Sequence, residues 1–167
     1  MLNSKIERMK RIFASLLLLV GFTSAHAQLK VGDKAPAFAG VDQNGAAVSS
    51  KLLKGKKYII YFYPKDDTPG CTKEACSFRD SYDDIMGQGY TLVGVSADGV
   101  DSHKKFASKY SLPFPLIADT SKAIIKAFGV SGLFTQRKTF VVNEQGVIVK
   151  IIEDTTPKDH ATEALKR

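Results

Sequence analysis

The chain has 167 residues, 44% of them hydrophobic and 25% charged, which is the composition of an ordinary globular protein with one sizeable core. Its formal net charge is +7. Residues 1–27 contribute four cations and one anion, so residues 28–167 carry +4. This weak charge is spread without a dense cluster, so it predicts a solvated surface and no nucleic-acid partner.

The first 27 residues have the layout of a secretory signal peptide. The basic pair Lys10-Arg11 precedes an apolar run over 12–22, and Ala25-His26-Ala27 forms an A-x-A cleavage site. We expect cleavage before Gln28 and export to the periplasm, where disulfides persist. A membrane anchor is the alternative, but the apolar run is short for a span, so no stable membrane association is expected after cleavage. The long segment before this run makes Met9 a second candidate start.

The first half of the mature chain predicts a hairpin, a strand and a helix. Residues 28–38 form an extended lead-in to a hairpin over 41–48, where Asn44-Gly45 supplies the positive φ angles of a tight turn. The continuously apolar run 58–63 is typical of a strand buried on both faces. Apolar residues then recur with helical spacing, which predicts one helix over 71–87.

The second half alternates strands with helices and closes with another hairpin. Such alternation, with hairpins at both ends, indicates an α/β domain over 28–167 that has a central mixed sheet with helices on both faces. Ligands of these sheets bind beyond the carboxyl ends of the strands, where the segment after Tyr63 lies. The predicted elements are a strand over 90–95, a helix over 101–110, a strand over 114–118, a helix over 121–128 capped by Ser121, a hairpin of 139–142 with 147–152, and a helix over 157–167.

Both cysteines, Cys71 and Cys76, lie where a strand ends and the predicted helix begins. Unpaired N–H groups and the positive end of the helix dipole favour a thiolate there. A structural disulfide is the simplest alternative. However, helical residues five apart have Cα atoms roughly 8–9 Å apart, beyond the ~7 Å limit for a disulfide. A disulfide between them requires the helix to unwind. Because it would close only a small loop, it would restrict the unfolded chain little and stabilise the fold little, so redox function is favoured.

The segment 62–79 carries a family resemblance. It contains the pattern Pro-x-x-x-Thr-x-x-Cys, met by Pro64, Thr68 and Cys71. It resembles the active-site segment of the peroxiredoxins, specifically the bacterioferritin-comigratory, or peroxiredoxin Q, group. The resemblance extends over essentially all of 29–167 and implies a thioredoxin-like fold and peroxide reduction. Further matching segments are 94–96, 105–106, 112–116 and 137–140.

The resemblance also implies a reaction. Cys71 would be the peroxidatic cysteine, whose thiolate attacks hydrogen peroxide or an organic hydroperoxide and becomes a sulfenic acid. Cys76 would be the resolving cysteine, which forms an intramolecular disulfide that a thioredoxin-like dithiol protein reduces. Because no Cys or His cluster has metal-ligand spacing and no G-x-G-x-x-G follows a strand, neither metal nor other cofactor is expected. The group favours a monomer.

Three further residues receive supporting roles by resemblance. The Thr68 hydroxyl would donate to the thiolate or the peroxide while accepting a backbone N–H. Pro64 lacks an N–H and would shield the thiolate from water, and Arg137 would stabilise the thiolate and the leaving oxygen. Glu74, one turn after the nucleophile, would oppose a thiolate, so it is expected to turn away or to pair with a cation.

Two other functions are compatible with two cysteines. A secreted thiol–disulfide oxidoreductase acting on proteins normally carries Cys-x-x-Cys, which this chain lacks. A non-enzymatic domain with an incidental disulfide leaves Thr68 and Pro64 unexplained. Other signals are weak: His103 and His160 stand isolated in the sequence, and Asp66-Asp67 indicates the start of a turn rather than a catalytic carboxylate pair.

Overall fold

The computed structural model describes residues 28–166. A five-stranded sheet of order β5-β4-β3-β6-β7 forms the centre, and a separate two-stranded hairpin, β1-β2, precedes it. The strands are β1 (Ala39–Val41), β2 (Ala47–Ser49), β3 (Lys57–Phe62), β4 (Tyr90–Ser96), β5 (Leu116–Ala118), β6 (Lys138–Val142) and β7 (Ile148–Ile152). The helices are α1 (Pro69–Asp80), α2 (Tyr82–Gly87), α3 (Val100–Tyr110), α4 (Ala123–Ala127) and α5 (His160–Leu165), the last preceded by a 3₁₀ turn (Pro157–Asp159).

The central sheet is mixed, as predicted, and the thioredoxin-like fold is confirmed. Strands β3, β4 and β5 are parallel, whereas β6 is antiparallel to β3 and β7 is antiparallel to β6. Parallel neighbours need crossover connections, which α1 with α2 and then α3 provide. Since β3 and β4 run in the same direction, the segments that follow them leave the sheet at the same edge.

Strand β3 lies at the centre of two apolar layers because its side chains alternate between the faces of the sheet. Ile59 and Tyr61 pack on one face with side chains of α1, α2, α3 and α5. Ile60 and Phe62 pack on the other face with α4 and with Phe38, which precedes the hairpin. The predicted burial of this strand on both faces is therefore confirmed.

The single helix predicted over 71–87 is wrong in one respect, because the structure has two helices separated at Ser81. The backbone of Ser81 has φ −98° and ψ 7°, outside the helical region. Serine is a weak helix former because its hydroxyl competes for backbone hydrogen bonds. The apolar spacing continues from Phe78 across the break to Ile85, and both side chains are buried, so periodicity alone does not reveal the break.

The predicted Ser121 cap is only a weak one, because its hydroxyl accepts from the Ala123 N–H at 3.4 Å, and Asp119 is the main cap. The N–H groups of Ala123 and Ile125 donate to the two carboxylate oxygens of Asp119, at 2.9 and 2.8 Å, so the aspartate caps α4 from the end of β5. An ionised acceptor makes the stronger hydrogen bonds, and its charge complements the helix dipole. The predicted hairpin is confirmed, but of the Asn44-Gly45 pair only Gly45 has a positive φ, of +76°. Within residues 28–166 no helix is long and apolar enough to cross a bilayer.

Candidate active site

Cys71 lies at the start of α1, at the carboxyl edge of the sheet. The chain leaves β3 at Phe62, forms a short loop, and enters α1 at Pro69, whose missing N–H costs nothing at a helix start. The cysteine is the third residue of the helix and its side chain is almost completely buried. Open N–H groups and the helix dipole therefore act on a thiol that is largely withdrawn from water.

Arg137 is the cation that contacts this thiol. Its Nη2 donates to Sγ of Cys71 at 3.3 Å. The sheet register explains the contact, because Phe62 at the end of β3 pairs with Lys138 at the start of β6, so the residue before β6 lies beside the loop after β3. A Cβ on Gly70 would lie 3.3 Å from Nη2, so glycine at this position leaves room for the guanidinium. Arg137 thus contacts the thiol that the resemblance assigns to it.

Glu74 pairs with the same guanidinium. Its carboxylate is fully buried and accepts from Nη1 of Arg137, so the expected pairing with a cation is confirmed. Burial raises the pKa of Glu74 to about 8, although Arg137 acts in the opposite direction. Burial lowers the pKa of Arg137, but Glu74 and Cys71 together outweigh that effect and raise it. Arg137 therefore links two acidic groups that compete for one positive charge.

His160, isolated in the sequence, lies next to this cluster at the start of α5. Its Nδ1 is 2.8 Å from Oγ1 of Thr139 and 3.4 Å from Oε1 of Glu74, and its side chain is fully buried. Burial, and secondarily Arg137, lowers the pKa of His160 to about 4, so the ring is neutral near neutral pH. Sequence reasoning missed this residue because its partners come from β6 and α1, and no local pattern connects those elements.

Thr68 and Pro64 frame the loop that leads to Cys71. Thr68 is the N-cap residue of α1, with φ −92° and ψ 152°, and makes no side-chain cap bond. Its hydroxyl donates to the carbonyl oxygen of Lys65 at 3.1 Å. The expected acceptance of a backbone N–H is therefore wrong for this state, because the hydroxyl is turned back into the loop. Pro64 is half-buried at the end of β3.

Cys76 lies on the same helix as Cys71, and both thiols are free. Continuous helix from Pro69 to Asp80 separates them, so the predicted requirement for unwinding applies to this structure. Cys76 is half-buried and opens into a shallow depression of about 480 Å³. This depression is lined by Lys73, Cys76, Ser77, Asp80, Ser81 and Lys158.

A second buried polar cluster surrounds Asp66, on the loop before α1. Its carboxylate accepts from the Tyr63 hydroxyl at 2.8 Å and the Ser102 hydroxyl at 2.7 Å, and Nδ1 of His103 lies 2.8 Å away. Sequence reasoning treated His103 as isolated and Asp66 as the start of a turn, and 37 residues separate the two. Within residues 28–166, no group of three or more His, Cys, Asp or Glu side chains could hold a metal ion.

The structure has a buried cysteine at a helix start, and an arginine next to the central strands of a thioredoxin-like sheet donates a hydrogen bond to its sulfur. This arrangement defines the class of thiol-dependent peroxidases. Residues 31–151 match the model described as the AhpC/TSA family, and the chain belongs to that family. Chloroplastic peroxiredoxin Q of Sedum lineare is 42% identical over 148 residues, which cover 86% of this chain and 80% of that protein.

Two solved structures extend the comparison. Peroxidoxin BcpB of Mycobacterium tuberculosis superimposes with a TM-score of 0.77 at 33% identity, covering 82% of this chain and 94% of its own. The bacterioferritin comigratory protein of Xanthomonas campestris, described for its alkyl peroxide reduction activity, has a TM-score of 0.74 at 31% identity, covering 77% and 87%. The chain is therefore a peroxiredoxin of the Q type, which uses a peroxide and a thioredoxin-like reductant.

Proposed function

We propose that the protein reduces hydrogen peroxide and organic hydroperoxides through Cys71, and that Cys76 resolves the oxidised cysteine within the same chain. The observation that carries this proposal is the 3.3 Å contact between the Arg137 guanidinium and the Cys71 sulfur at the start of α1. Only a thiolate is a competent nucleophile toward peroxide, and this position favours the charged form. The reported alkyl peroxide reduction of the Xanthomonas campestris relative supports the inclusion of organic substrates.

In the first step the Cys71 thiolate attacks the terminal oxygen of the peroxide. An S–O bond forms to that oxygen and the O–O bond breaks. The electron pair of the O–O bond goes to the other peroxide oxygen, which takes a proton and departs as water or an alcohol. Arg137 faces the sulfur and stabilises the charge that moves onto the leaving oxygen. Pro64 keeps a donor away from the sulfur, and the Thr68 hydroxyl turns from Lys65 toward the bound peroxide.

In the second step Cys76 attacks the sulfenic sulfur of Cys71, releasing water and forming the disulfide. The two cysteines reach each other only after α1 unwinds, because both now lie within that helix. A thioredoxin-like dithiol then reduces the disulfide by thiol exchange, entering through the depression beside Cys76. The alternative of a protein thiol–disulfide oxidoreductase is not favoured, since the relatives are peroxiredoxins.

A single-turnover reaction tests the first step. One equivalent of hydrogen peroxide is added to the reduced protein, and peroxide loss and intact mass are recorded over seconds. Rapid loss with a product two hydrogens lighter supports an activated Cys71 resolved by Cys76. Peroxide loss no faster than that caused by the unfolded protein would overturn the proposal.

Two variants separate the roles of the cysteines. Cys71→Ser should abolish turnover, because the nucleophile is lost. Cys76→Ser should consume one equivalent of peroxide and stop at the sulfenic acid, since only resolution is removed. Steady turnover of Cys76→Ser with a thioredoxin-like protein would show that resolution does not occur within one subunit.

We also propose that residues 1–27 form a cleaved export signal, and that residues 28–167 act in the periplasm as a monomeric single domain. The A-x-A site before Gln28 supports this arrangement. The signal lies outside the residues that the structure describes. N-terminal sequencing of the cell-derived protein and light scattering of the purified protein test the two claims, and a retained N-terminus or a dimer mass would contradict them.

A further inference from the structure

The buried cluster around Asp66 takes no part in the steps above. We propose that the Asp66–His103 pair is a positioning device for peroxide reduction, which fixes the loop carrying Pro64 and Thr68 and anchors it while α1 unwinds. The kinetic consequence rests on the proposed function, whereas the protonation state of the pair can be measured without it.

The geometry of His103 sets that protonation state. The ring lies on α3 with no exposure, its Nδ1 is 2.8 Å from Oδ2 of Asp66, and its Nε2 is 3.1 Å from the carbonyl oxygen of Ile117. Both partners are hydrogen-bond acceptors, and a neutral imidazole has only one N–H to donate. Both hydrogen bonds therefore form only when the pair holds one additional proton, as an imidazolium beside a carboxylate.

Asp66 ties the loop to three parts of the fold. Its carboxylate accepts from Tyr63 at the end of β3 and from Ser102 and His103 of α3. Its backbone N–H donates to Oδ2 of Asp98, after β4, at 2.9 Å. Asp66 thus has its side chain and its main chain held from different elements. Since it precedes Cys71 by five residues, it fixes where the chain enters α1.

Asp67, the next residue, is held at the protein surface, in contrast to the buried Asp66. Asp67 accepts from Nζ of Lys109 at 2.7 Å and from the Tyr110 hydroxyl at 2.6 Å, and both members of the ion pair are substantially exposed. Exposed pairs contribute little to stability, whereas removing one partner of a buried pair leaves the other charge unpaired in the interior. The internal pair is therefore the anchor, and the surface pair on the same loop and helix provides a control.

An anchor is needed because the disulfide forms by local unfolding. When the first turns of α1 open, a free loop would carry Cys71 away from Arg137, and each cycle would have to restore that contact. Tyr63 also faces the His103 ring, with its hydroxyl 3.5 Å from Nδ1, and β5 contributes the carbonyl oxygen of Ile117. Burial raises the pKa of Tyr63 well above its ordinary value, so Tyr63 remains a donor.

Nuclear magnetic resonance of the His103 ring tests the pair without reference to activity. In the reduced wild-type protein both ring nitrogens should carry a proton, with imidazolium nitrogen shifts, because both face acceptors. In Asp66→Asn the ring should be neutral, because the amide donates to Nδ1 and Nε2 keeps its proton for Ile117. A wild-type ring with a single N–H would overturn the inference, whatever the protein does with peroxide.

Stopped-flow single turnovers test the positioning role. Asp66→Ala should lower the rate of peroxide loss roughly 10- to 100-fold, the scale expected for a misplaced reacting group. Asp66→Asn retains the hydrogen-bonding groups that hold the loop, so it should recover most of that rate. Lys109→Gln, which breaks only the exposed pair, should stay within about twofold of wild type.

These measurements also separate the inference from the proposed function. A folded Asp66→Ala variant with the wild-type rate would overturn the positioning role while leaving the peroxidase intact. If Asp66→Ala does not fold by near-ultraviolet circular dichroism, a folded His103→Phe variant, which loses both ring hydrogen bonds, would overturn it by keeping the wild-type rate. A wild-type protein without peroxide reactivity would overturn the proposed function, and the ring protons would then decide whether the pair exists.

Discussion

At the scale of single residues, the active site distributes one positive charge between two acids. Arg137 bonds the sulfur of Cys71 through one nitrogen and the carboxylate of Glu74 through the other. If both acids ionise, a buried site has one more negative than positive charge, which a low dielectric disfavours. A proton on Glu74 removes that excess and leaves the guanidinium to the sulfur.

Loss of the guanidinium should therefore remove most of the reactivity. Arg137→Gln should lower the single-turnover rate of peroxide loss about 100-fold or more, as for other donors aimed at developing charge. The exposed Lys104 on α3 offers a control with the same change of charge, and Lys104→Gln should leave the rate as it is. Equal rates for Arg137→Gln and wild type would show that the contact does not act in catalysis.

Glu74 and His160 should give the folding stability a defined pH dependence. Native Glu74 holds its proton up to a pKa of about 8, far above the ~4.3 of an unfolded glutamate, so stability falls as pH rises through this window. Native His160 resists protonation down to a pKa of about 4, whereas an unfolded histidine has a pKa of ~6.5. Between these values His160 makes the folding stability rise as pH rises, opposite to Glu74. The two effects oppose each other at acidic pH, and Glu74 acts alone from ~6.5 to about 8.

Urea unfolding across that upper window provides the test. The wild-type free energy of unfolding should fall by roughly 2 kcal/mol from Glu74, since one pKa unit corresponds to about 1.4 kcal/mol. Glu74→Gln should flatten this slope even though it lowers stability overall. The exposed Glu144 serves as control, and Glu144→Gln should keep the wild-type slope. A slope in Glu74→Gln equal to that of wild type would mean that another group titrates.

At the scale of elements, α1 combines a buried contact surface with a need to open. Its first turns hold Cys71 against Arg137, while Ser81 separates it from α2. Formation of the disulfide must disrupt the helix between Cys71 and Cys76, yet the break at Ser81 gives that disruption a natural boundary. The next helix has its own buried anchor in Ile85, so it can remain folded.

Amide hydrogen exchange should locate this boundary. After oxidation with one equivalent of peroxide, the amides of residues 71–76 should lose protection because their helical bonds open. The amides at the end of α2, residues 85–87, should keep the protection of the reduced protein. Retained protection across 71–76 in the disulfide form would contradict the unwinding requirement.

The packing of β4 against β3 predicts a sharp cost at one glycine. A Cβ at Gly94 would lie 2.7 Å from Leu116 Cδ2 and 2.8 Å from Tyr61 Cζ, inside a fully buried layer. Gly94→Ala should therefore destabilise by about 1–3 kcal/mol, lowering Tm by several degrees. Gly87→Ala meets nothing within 4 Å and should not lower Tm. An equal effect of both substitutions in calorimetry would argue against close packing at β4.

The elements that sequence reasoning located correctly have local causes. The apolar run of β3 and the Asn44-Gly45 turn specify their structures through neighbouring residues alone. The break at Ser81 and the Asp119 cap were missed, because neither disturbs apolar spacing. The site needed more than spacing: Arg137 was selected by family resemblance, and His103 and His160 acquire partners only through sheet register and crossover connections.

At the scale of the whole molecule, the reduced state should be the more stable one. Closing a six-residue loop contributes about 2 kcal/mol by chain entropy. Oxidation must also separate the buried Glu74 side chain from Arg137 and open helical hydrogen bonds of α1, and each buried polar group left unpaired costs about 1–3 kcal/mol. Calorimetry should accordingly find a lower Tm for the disulfide form than for the reduced form. A higher Tm after oxidation would indicate that the bridge acts as a structural staple.

The placement of both cysteines on one helix also sets the lifetime of the oxidised intermediate. Each sulfenic acid waits until α1 happens to open, and during that wait a second peroxide molecule competes with Cys76 for the same sulfur. When the second peroxide reacts before Cys76, Cys71 becomes the sulfinic acid, which the thiol cycle does not reverse. The stability of the twelve-residue helix α1 therefore sets how long the sulfenic acid persists. It thereby also sets the peroxide concentration at which the enzyme inactivates itself.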